Sequence, residues 1–124
     1  MRRRFNARTR IRFSWGHAGR YKGYWCDSSW ELAYVAYHLD HGIEIKRNRK
    51  GFKYTFYKKA HKFYPDFIVG GKYVEIKGVI KRKSKAKFDQ FPEELIIIGP
   101  EEIKPYLEYA VKKYGADFYK TLYD

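Results

Sequence analysis

Two carboxylates and a lysine lie within a short stretch of sequence that is otherwise typical of buried β-strand. Asp66 precedes one apolar run, Glu75-Ile76-Lys77 ends the next, and Gly70-Gly71 lies between the two runs. The glycine pair predicts a two-residue hairpin turn, which would bring Asp66 and Glu75 to the same end of a β-ribbon. Side-chain alternation then places Glu75 and Lys77 on one face of their strand.

Such a group of charges is costly to place beside a hydrophobic core. A hard divalent cation between the carboxylates would offset that cost, because Mg²⁺ takes oxygen ligands and keeps several of its waters. The site would then have a metal, a water to activate and an ammonium group that stabilises developing negative charge. These residue types therefore predict hydrolysis of a phosphodiester. We expect Mg²⁺ as the cofactor, Mn²⁺ as a substitute and no organic cofactor.

The string Pro65-Asp66, eight residues, then Glu75-Ile76-Lys77 resembles the PD-(D/E)XK nuclease superfamily. The order of predicted elements over residues 24–99 resembles that of the nuclease core in the same superfamily. Within the superfamily, the chain resembles phage endonuclease I-type junction resolvases and small phage homing endonucleases. The resemblance implies that Asp66, Glu75 and the backbone carbonyl of Ile76 bind the metal. It also implies that Lys77 positions the attacking water or offsets charge on the phosphate. The alternative is a surface hairpin that carries these residues incidentally.

Glu31 has two interpretations. Ser28 and Glu31 have the S-x-x-E spacing of a capping box, ahead of a predicted helix that runs to His41 and is followed by Gly42. The resemblance implies in addition that Glu31 holds a second metal or orients the attacking water. The two roles are compatible, and the sequence leaves both open.

The charge balance points to a polyanionic partner. The 124 residues include 27 Lys and Arg against 14 Asp and Glu, a formal net charge of +13. A solubilising surface normally mixes both signs, whereas a strong positive excess attracts nucleic acid. The predicted DNA-binding residues fall in three clusters: Arg2, Arg3, Arg4, Arg8, Arg10 and Arg12; Lys46, Arg47, Arg49 and Lys50; and Lys81, Arg82 and Lys83.

The patterning predicts a single compact α/β domain with a mixed central β-sheet flanked by helices, and the resemblance implies that this is a restriction-endonuclease-like core. Residues 1–23 are expected to form a basic N-terminal arm, and residues 24–124 the nuclease domain. Strands are predicted at about 43–47, 52–57, 61–69, 72–78 and 95–98, with helices at 83–90 and 100–115. The apolar run 95–98 is expected to be a central strand. Trp15 and Tyr21 are open candidates for base stacking, whereas the aromatic residues of the 52–57 strand are predicted to face the core.

The expected function is a Mg²⁺-dependent DNA endonuclease that cleaves branched DNA, as Holliday-junction resolvases do. The chain has no appended module for reading a long sequence, and a basic surface on a small core reads shape and backbone. The alternatives are a small phage homing or site-specific endonuclease and a non-catalytic nucleic-acid-binding module, and RNA remains possible as the substrate.

A homodimer is expected, because two-fold symmetry supplies two sites for the two strands of a junction. The strands around Phe52–Phe63 are the candidate interface, since an unpaired β edge invites a partner strand. The single cysteine, Cys26, excludes an intramolecular disulfide. No apolar run approaches the roughly 18 residues of a membrane span. No membrane partner is therefore expected. The expected location is the cytoplasm.

Overall fold

The computed structural model describes residues 17–124. The predicted DNA-binding arginines between Arg2 and Arg12, and Trp15, lie outside the described residues. Within the described range the chain is α/β, with four helices and a mixed four-stranded sheet beside two smaller hairpins. The predicted fold class is therefore confirmed. The described residues form two compact units, 17–42 with Ile103–Asp124 and Ile43–Glu102.

In the described part of the first unit, a β-hairpin that the sequence did not predict precedes the first helix. Strand β1 (Gly19–Tyr21) pairs antiparallel with β2 (Tyr24–Cys26). The Lys22-Gly23 turn between them has positive φ at both residues, 47° and 88°, as a two-residue type I′ turn requires. Residues 19–23 thus belong to a hairpin, and Tyr21 is buried rather than available for base stacking.

Helix α1 (Ser29–Asp40) has the ends that its sequence predicts. The Ser28 hydroxyl accepts a hydrogen bond from the Glu31 backbone N–H at 3.4 Å, which satisfies one of the unpaired donors of the first turn. Gly42, just beyond the helix, adopts φ 67°, the left-handed conformation that commonly ends a helix. The capping interpretation of this segment is confirmed.

Helix α1 is joined to α3 (Pro100–Tyr114) by one acidic side chain. The Asp40 carboxylate accepts hydrogen bonds from the hydroxyls of Tyr109 and Tyr114, each at 2.6 Å, and lies 3.3 Å from the Lys113 ammonium. Burial raises the pKa of Asp40, but the tyrosine hydroxyls and Lys113 outweigh it, so the pKa lies below its ordinary value. A short helix, α4 (Phe118–Thr121), follows and buries Phe118.

The second unit is built mainly of strands. Its elements are β3 (Ile45–Arg47), β4 (Phe52–Phe56), β5 (Lys59–Phe63), β6 (Phe67–Val69), β7 (Lys72–Ile76), α2 (Arg82–Asp89) and β8 (Leu95–Ile98). The four-stranded sheet has the order β3-β6-β7-β8, with β7 and β8 parallel and the other pairs antiparallel. Within the described range β8 is at the end of this sheet, so the prediction that it is central is wrong.

The β6–β7 hairpin is the predicted one. Val69 pairs with Lys72 across the turn, and Gly70 and Gly71 have φ of 58° and 78°. Both values lie in the left-handed region that a type I′ turn requires and that glycine adopts without steric cost. The tight turn fixes the register of the two strands that carry the acidic residues.

The prediction of one continuous strand over 61–69 is wrong. Strand β5 ends at Phe63 in a two-stranded sheet with β4, and the chain enters the four-stranded sheet only at Phe67. Pro65 lies between them and has no N–H to donate to a strand ladder. Of the helices in the described range, none is long and apolar enough to cross a membrane.

Candidate metal centre

Asp66 and Glu75 face each other at the end of the β6–β7 hairpin. The pairing of Phe67 with Val74 places Asp66 opposite Glu75. The Glu75 Oε1 accepts the backbone N–H of Asp66 at 3.2 Å, and the Asp66 Oδ2 accepts the backbone N–H of Ile76 at 2.8 Å. Each carboxylate is therefore held by the other strand. The prediction that both acids lie at one end of the ribbon is confirmed.

The segment that leads into Asp66 is held by one buried amide. The Asn48 side chain donates hydrogen bonds to the carbonyls of Pro65 and Lys50, both at 2.9 Å. The Asn48 backbone N–H donates to the Asp66 carbonyl at 3.0 Å. Because Pro65 itself is buried, the backbone that presents the Asp66 carboxylate has little freedom to move.

Glu75 is in an environment that disfavours its charge. It is only 8% exposed. Burial raises its pKa to about 9, and the negative charge of Asp66 and a side-chain hydrogen bond with it act in the same direction. Lys77 and Lys87 lower the pKa, but by less. The surroundings of Glu75 therefore favour its protonated form.

Two lysines, Lys77 and Lys87, act on Glu75 through their positive charge. The Lys77 backbone N–H donates to the Ile98 carbonyl at 3.0 Å, so it extends the β7–β8 ladder one residue past Ile76. Lys87 comes from α2, and its ammonium lies 5.4 Å from the centre of the Phe63 ring. Burial and the charge of Lys77 lower the pKa of Lys87, and Glu75 raises it less.

Lys87 is the residue of this site that the sequence did not single out. In the sequence it belongs to a run of basic residues on a short helix, and any member of that run could have faced solvent. Only the packing of α2 in this unit brings the charge of one of these lysines, Lys87, within range of Glu75. Lys77, in contrast, was predicted from strand alternation alone.

The donor chemistry of the pair fits a hard cation. Two carboxylates on neighbouring strands offer oxygen ligands to an ion such as Mg²⁺. The positive charge of a divalent ion would also favour the ionised form of Glu75. Asp66 and Glu75 are the residues that would hold it. The role of the Ile76 carbonyl as a third ligand stays a prediction.

Glu31 lies in the first unit, at the start of α1, and is 5% exposed. Its Oε1 accepts the Asp27 backbone N–H at 3.1 Å, which is a capping contact. One carboxylate oxygen of Asp27 lies within 4.8 Å of one from Glu31, a proximity that the spacing of the two residues in the sequence did not indicate. The metal-binding role of Glu31 stays a prediction.

The predicted DNA-binding residues of the second unit differ in their surroundings. Lys46 is exposed and lies 3.7 Å from Glu44, whereas the Arg47 guanidinium lies 4.9 Å from the centre of the Phe67 ring. Arg49 and Lys50 are exposed in the loop before β4. Lys81, Arg82 and Lys83 are exposed at the start of α2.

Comparison with protein-family models, with curated proteins and with solved structures gives no match to this chain. The resemblance to the PD-(D/E)XK superfamily therefore stays a prediction from the motif.

Proposed function

We propose that this chain is a Mg²⁺-dependent DNA endonuclease of the PD-(D/E)XK type, with a preference for branched DNA. The observation that supports the proposal most directly is the carboxylate pair. Asp66 and Glu75 are held opposite each other by reciprocal hydrogen bonds, with two lysines close enough to affect the charge of Glu75. Strongly perturbed titratable groups of this kind cluster at functional sites.

The cost of the pair argues against a purely structural role. A buried carboxyl group with a raised pKa destabilises the folded state whenever it must ionise. An apolar residue at position 75 would fill the same space in the strand without that cost. The arrangement is easier to understand if a cation joins the two carboxylates during function.

The residues have distinct roles in the proposed reaction. Asp66 and Glu75 bind the metal, with the Ile76 carbonyl as the expected third ligand. A Mg²⁺ ion held by these residues would supply Lewis-acid stabilisation of the phosphate and favour ionisation of the attacking water. Lys77 and Lys87 offset the negative charge that develops on the phosphate in the transition state. One acid pair beside two ammonium groups keeps the site from repelling a phosphodiester.

The surroundings of the pair suit a nucleic acid substrate. Lys81 caps the start of the short helix that carries Lys87, Arg82 and Lys83 lie in its first turn, and all three are exposed. Basic residues of this density neutralise phosphates and give binding that depends on salt rather than on sequence. A substrate backbone that follows this helix would pass the carboxylate pair.

The test is cleavage of labelled linear duplex, single strand, flap and four-way junction, each with and without Mg²⁺. We expect Asp66→Asn to reduce cleavage by more than about a hundredfold, since even residues that only support a metal ligand cost 10- to 100-fold. DNA affinity measured without metal should be retained. Asp89→Asn is the matched control, because it removes one negative charge from an exposed position of α2 and should leave the rate unchanged.

Two results of this assay would contradict the proposal. If the wild-type protein binds these DNAs but cleaves none of them with Mg²⁺ or Mn²⁺, the chain is a non-catalytic nucleic-acid-binding module. If Asp66→Asn cleaves at the wild-type rate, the assigned site is wrong.

A further inference from the structure

The β4–β5 hairpin carries a positively charged outer face. Lys53 and Lys62 are directly opposite each other in the antiparallel register, and both are exposed. Like charges at directly opposed positions destabilise a two-stranded sheet. The next pair on the same face is Thr55 with Ala60, so this pair supplies no acidic side chain that could offset the charges of Lys53 and Lys62. A polyanion that binds this face would remove the repulsion.

The tip of this hairpin is strained and carries an exposed aromatic ring. Tyr57 and Lys58 form the two-residue turn, and both have positive φ, 51° and 62°. Asn-Gly is the sequence that favours this turn, whereas bulky residues adopt the left-handed region at a cost. The Tyr57 side chain is 71% exposed. The ring contacts that of Phe56, with 4.4 Å between the centroids, but this contact leaves most of the tyrosine exposed, and the backbone conformation does not favour it.

The tip lies next to the basic start of α2. The Arg82 Nη1 donates a hydrogen bond to the Tyr57 hydroxyl at 3.3 Å. Lys87, five residues further along the same helix, is close enough to Glu75 for its positive charge to lower the pKa of that carboxyl group. Five residues of α-helix rise about 7.5 Å, a distance comparable with one or two nucleotides. The hairpin tip and the proposed metal site thus border the same short helix.

One edge of the hairpin is already occupied. The Gln90 side chain accepts the Thr55 backbone N–H and donates to the Thr55 carbonyl, both at 2.8 Å. The amide takes the place of a neighbouring strand at the centre of β4, so a second copy of the chain cannot pair there without displacing it. The charged face and the exposed tip are not covered by this contact, which favours a nucleic acid over a partner strand as their occupant.

We infer that the β4–β5 hairpin is a nucleic-acid-binding element, in which Lys53 and Lys62 contact phosphates and Tyr57 stacks on an unpaired base close to the cleaved bond. The inference rests on the proposed nuclease function and deepens it. An unpaired base is a feature of branch points and bulges and is absent from perfect duplex. Aromatic stacking is tolerant of base identity because every base has a π-face, so the element would recognise structure rather than sequence.

The first experiment isolates the ring. Affinity is measured without divalent metal for a duplex with one unpaired base and for the matched perfect duplex, using wild type, Tyr57→Ala and Tyr57→Phe. We expect Tyr57→Ala to weaken binding of the bulged DNA about 5- to 150-fold and to leave the perfect duplex unchanged. Tyr57→Phe should bind as wild type, because it keeps the ring and loses only the hydroxyl.

The second experiment isolates the lysines. The double variant Lys53→Ala/Lys62→Ala should lower the slope of log affinity against log salt by nearly two on duplex DNA. Lys112→Ala/Lys120→Ala is the control, because it removes the same charge from exposed positions of the first unit. The control should leave the slope unchanged.

Three results would overturn the inference. The first is that Tyr57→Ala binds the bulged DNA as tightly as wild type does. The second is that Lys53→Ala/Lys62→Ala lowers the slope of log affinity against log salt no more than the control pair does. The third is that a hairpin variant changes the sedimentation coefficient of the protein instead of its DNA affinity. The last would assign the hairpin to contact between copies. If Mg²⁺-dependent cleavage persists while any of these is seen, the proposed function stands and only the hairpin inference fails.

Discussion

Replacing Glu75 by glutamine should make the metal-free protein more stable while it abolishes cleavage. The side chain is buried against Asp66, and its pKa is raised to about 9 from an ordinary value of 4.5. Between these two values the folded state keeps a proton that the unfolded chain releases. The free energy of unfolding therefore falls as the pH rises through this window. The amide of Glu75→Gln does not titrate and escapes this penalty, and its carbonyl oxygen can still accept the Asp66 N–H.

The size of the effect follows from the same two values. Each pH unit between them changes the free energy of unfolding by about 1.4 kcal/mol. At pH 7 the penalty from Glu75 alone should reach about 3 kcal/mol, a large share of the 5–15 kcal/mol that is typical for a domain. Below pH 4.5 the group should contribute no pH dependence, because both states are then protonated.

The measurement is urea unfolding, followed by tryptophan fluorescence at pH 5, 6, 7 and 8. The quantity of interest is the difference in unfolding free energy between Glu75→Gln and wild type, since this cancels the titration of all other groups. The difference should grow by about 1.4 kcal/mol per pH unit. Glu108→Gln, an exposed glutamate on α3, is the matched control and should give a flat difference.

Mg²⁺ provides an independent check on the same residue. Metal binding requires both carboxylates to be ionised, so it should release about one proton and tighten as the pH rises. Added Mg²⁺ should raise the urea midpoint of wild type and leave that of Glu75→Gln unchanged. A flat difference between the two proteins from pH 5 to pH 8 would refute the reasoning, because Glu75 would then ionise like an exposed glutamate.

Lys87→Ala should lower the single-turnover cleavage rate more than the DNA affinity, because its positive charge acts on Glu75; an equal loss of both would make it a binding residue only. Deletion of the Arg2–Arg12 segment should weaken binding to all DNA sequences and flatten the salt dependence by nearly one unit per lost phosphate contact; an unchanged slope would assign the segment another role. Asp40→Asn should cost about 1–3 kcal/mol in urea unfolding at pH 7. Since the Asp40 pKa is lowered, wild type should lose this advantage progressively as the pH falls below about 4; a difference between the two proteins that does not shrink on acidification would contradict the assignment. A junction resolvase should sediment as a dimer and bind a four-way junction more tightly than a matched duplex in competition at fixed salt; equal displacement by both would exclude that specificity.

The parts of the fold that could be predicted are those that local chemistry determines. Gly70-Gly71 between two apolar runs specified the turn, and the turn specified that Asp66 is opposite Glu75. The capping box at Ser28 likewise gave the start of α1. In both cases residues within about ten positions of each other carry all the information, so the sequence is sufficient.

The parts that could not be predicted depend on contacts between distant segments. The break at Pro65 divides an apparently continuous strand between two sheets, and Asn48 holds the divided segment from 17 residues away. The approach of Lys87 to Glu75 depends on how α2 packs, which no periodicity in a short basic helix can specify. The sequence therefore predicted the proposed catalytic pair, but it did not predict all of the charged residues that surround the pair.

The contact between Gln90 and Thr55 has a consequence for the behaviour of the protein at high concentration. A single side chain closes the middle of an exposed strand edge, and unprotected edges of this kind are where chains add to one another and aggregate. This protection of the strand edge is lost whenever the Gln90 side chain changes its rotamer, because the contact consists of two hydrogen bonds. The amide hydrogen of Thr55 should therefore exchange with solvent at a rate set by the opening of Gln90, and Gln90→Ala should be the variant that precipitates first on concentration.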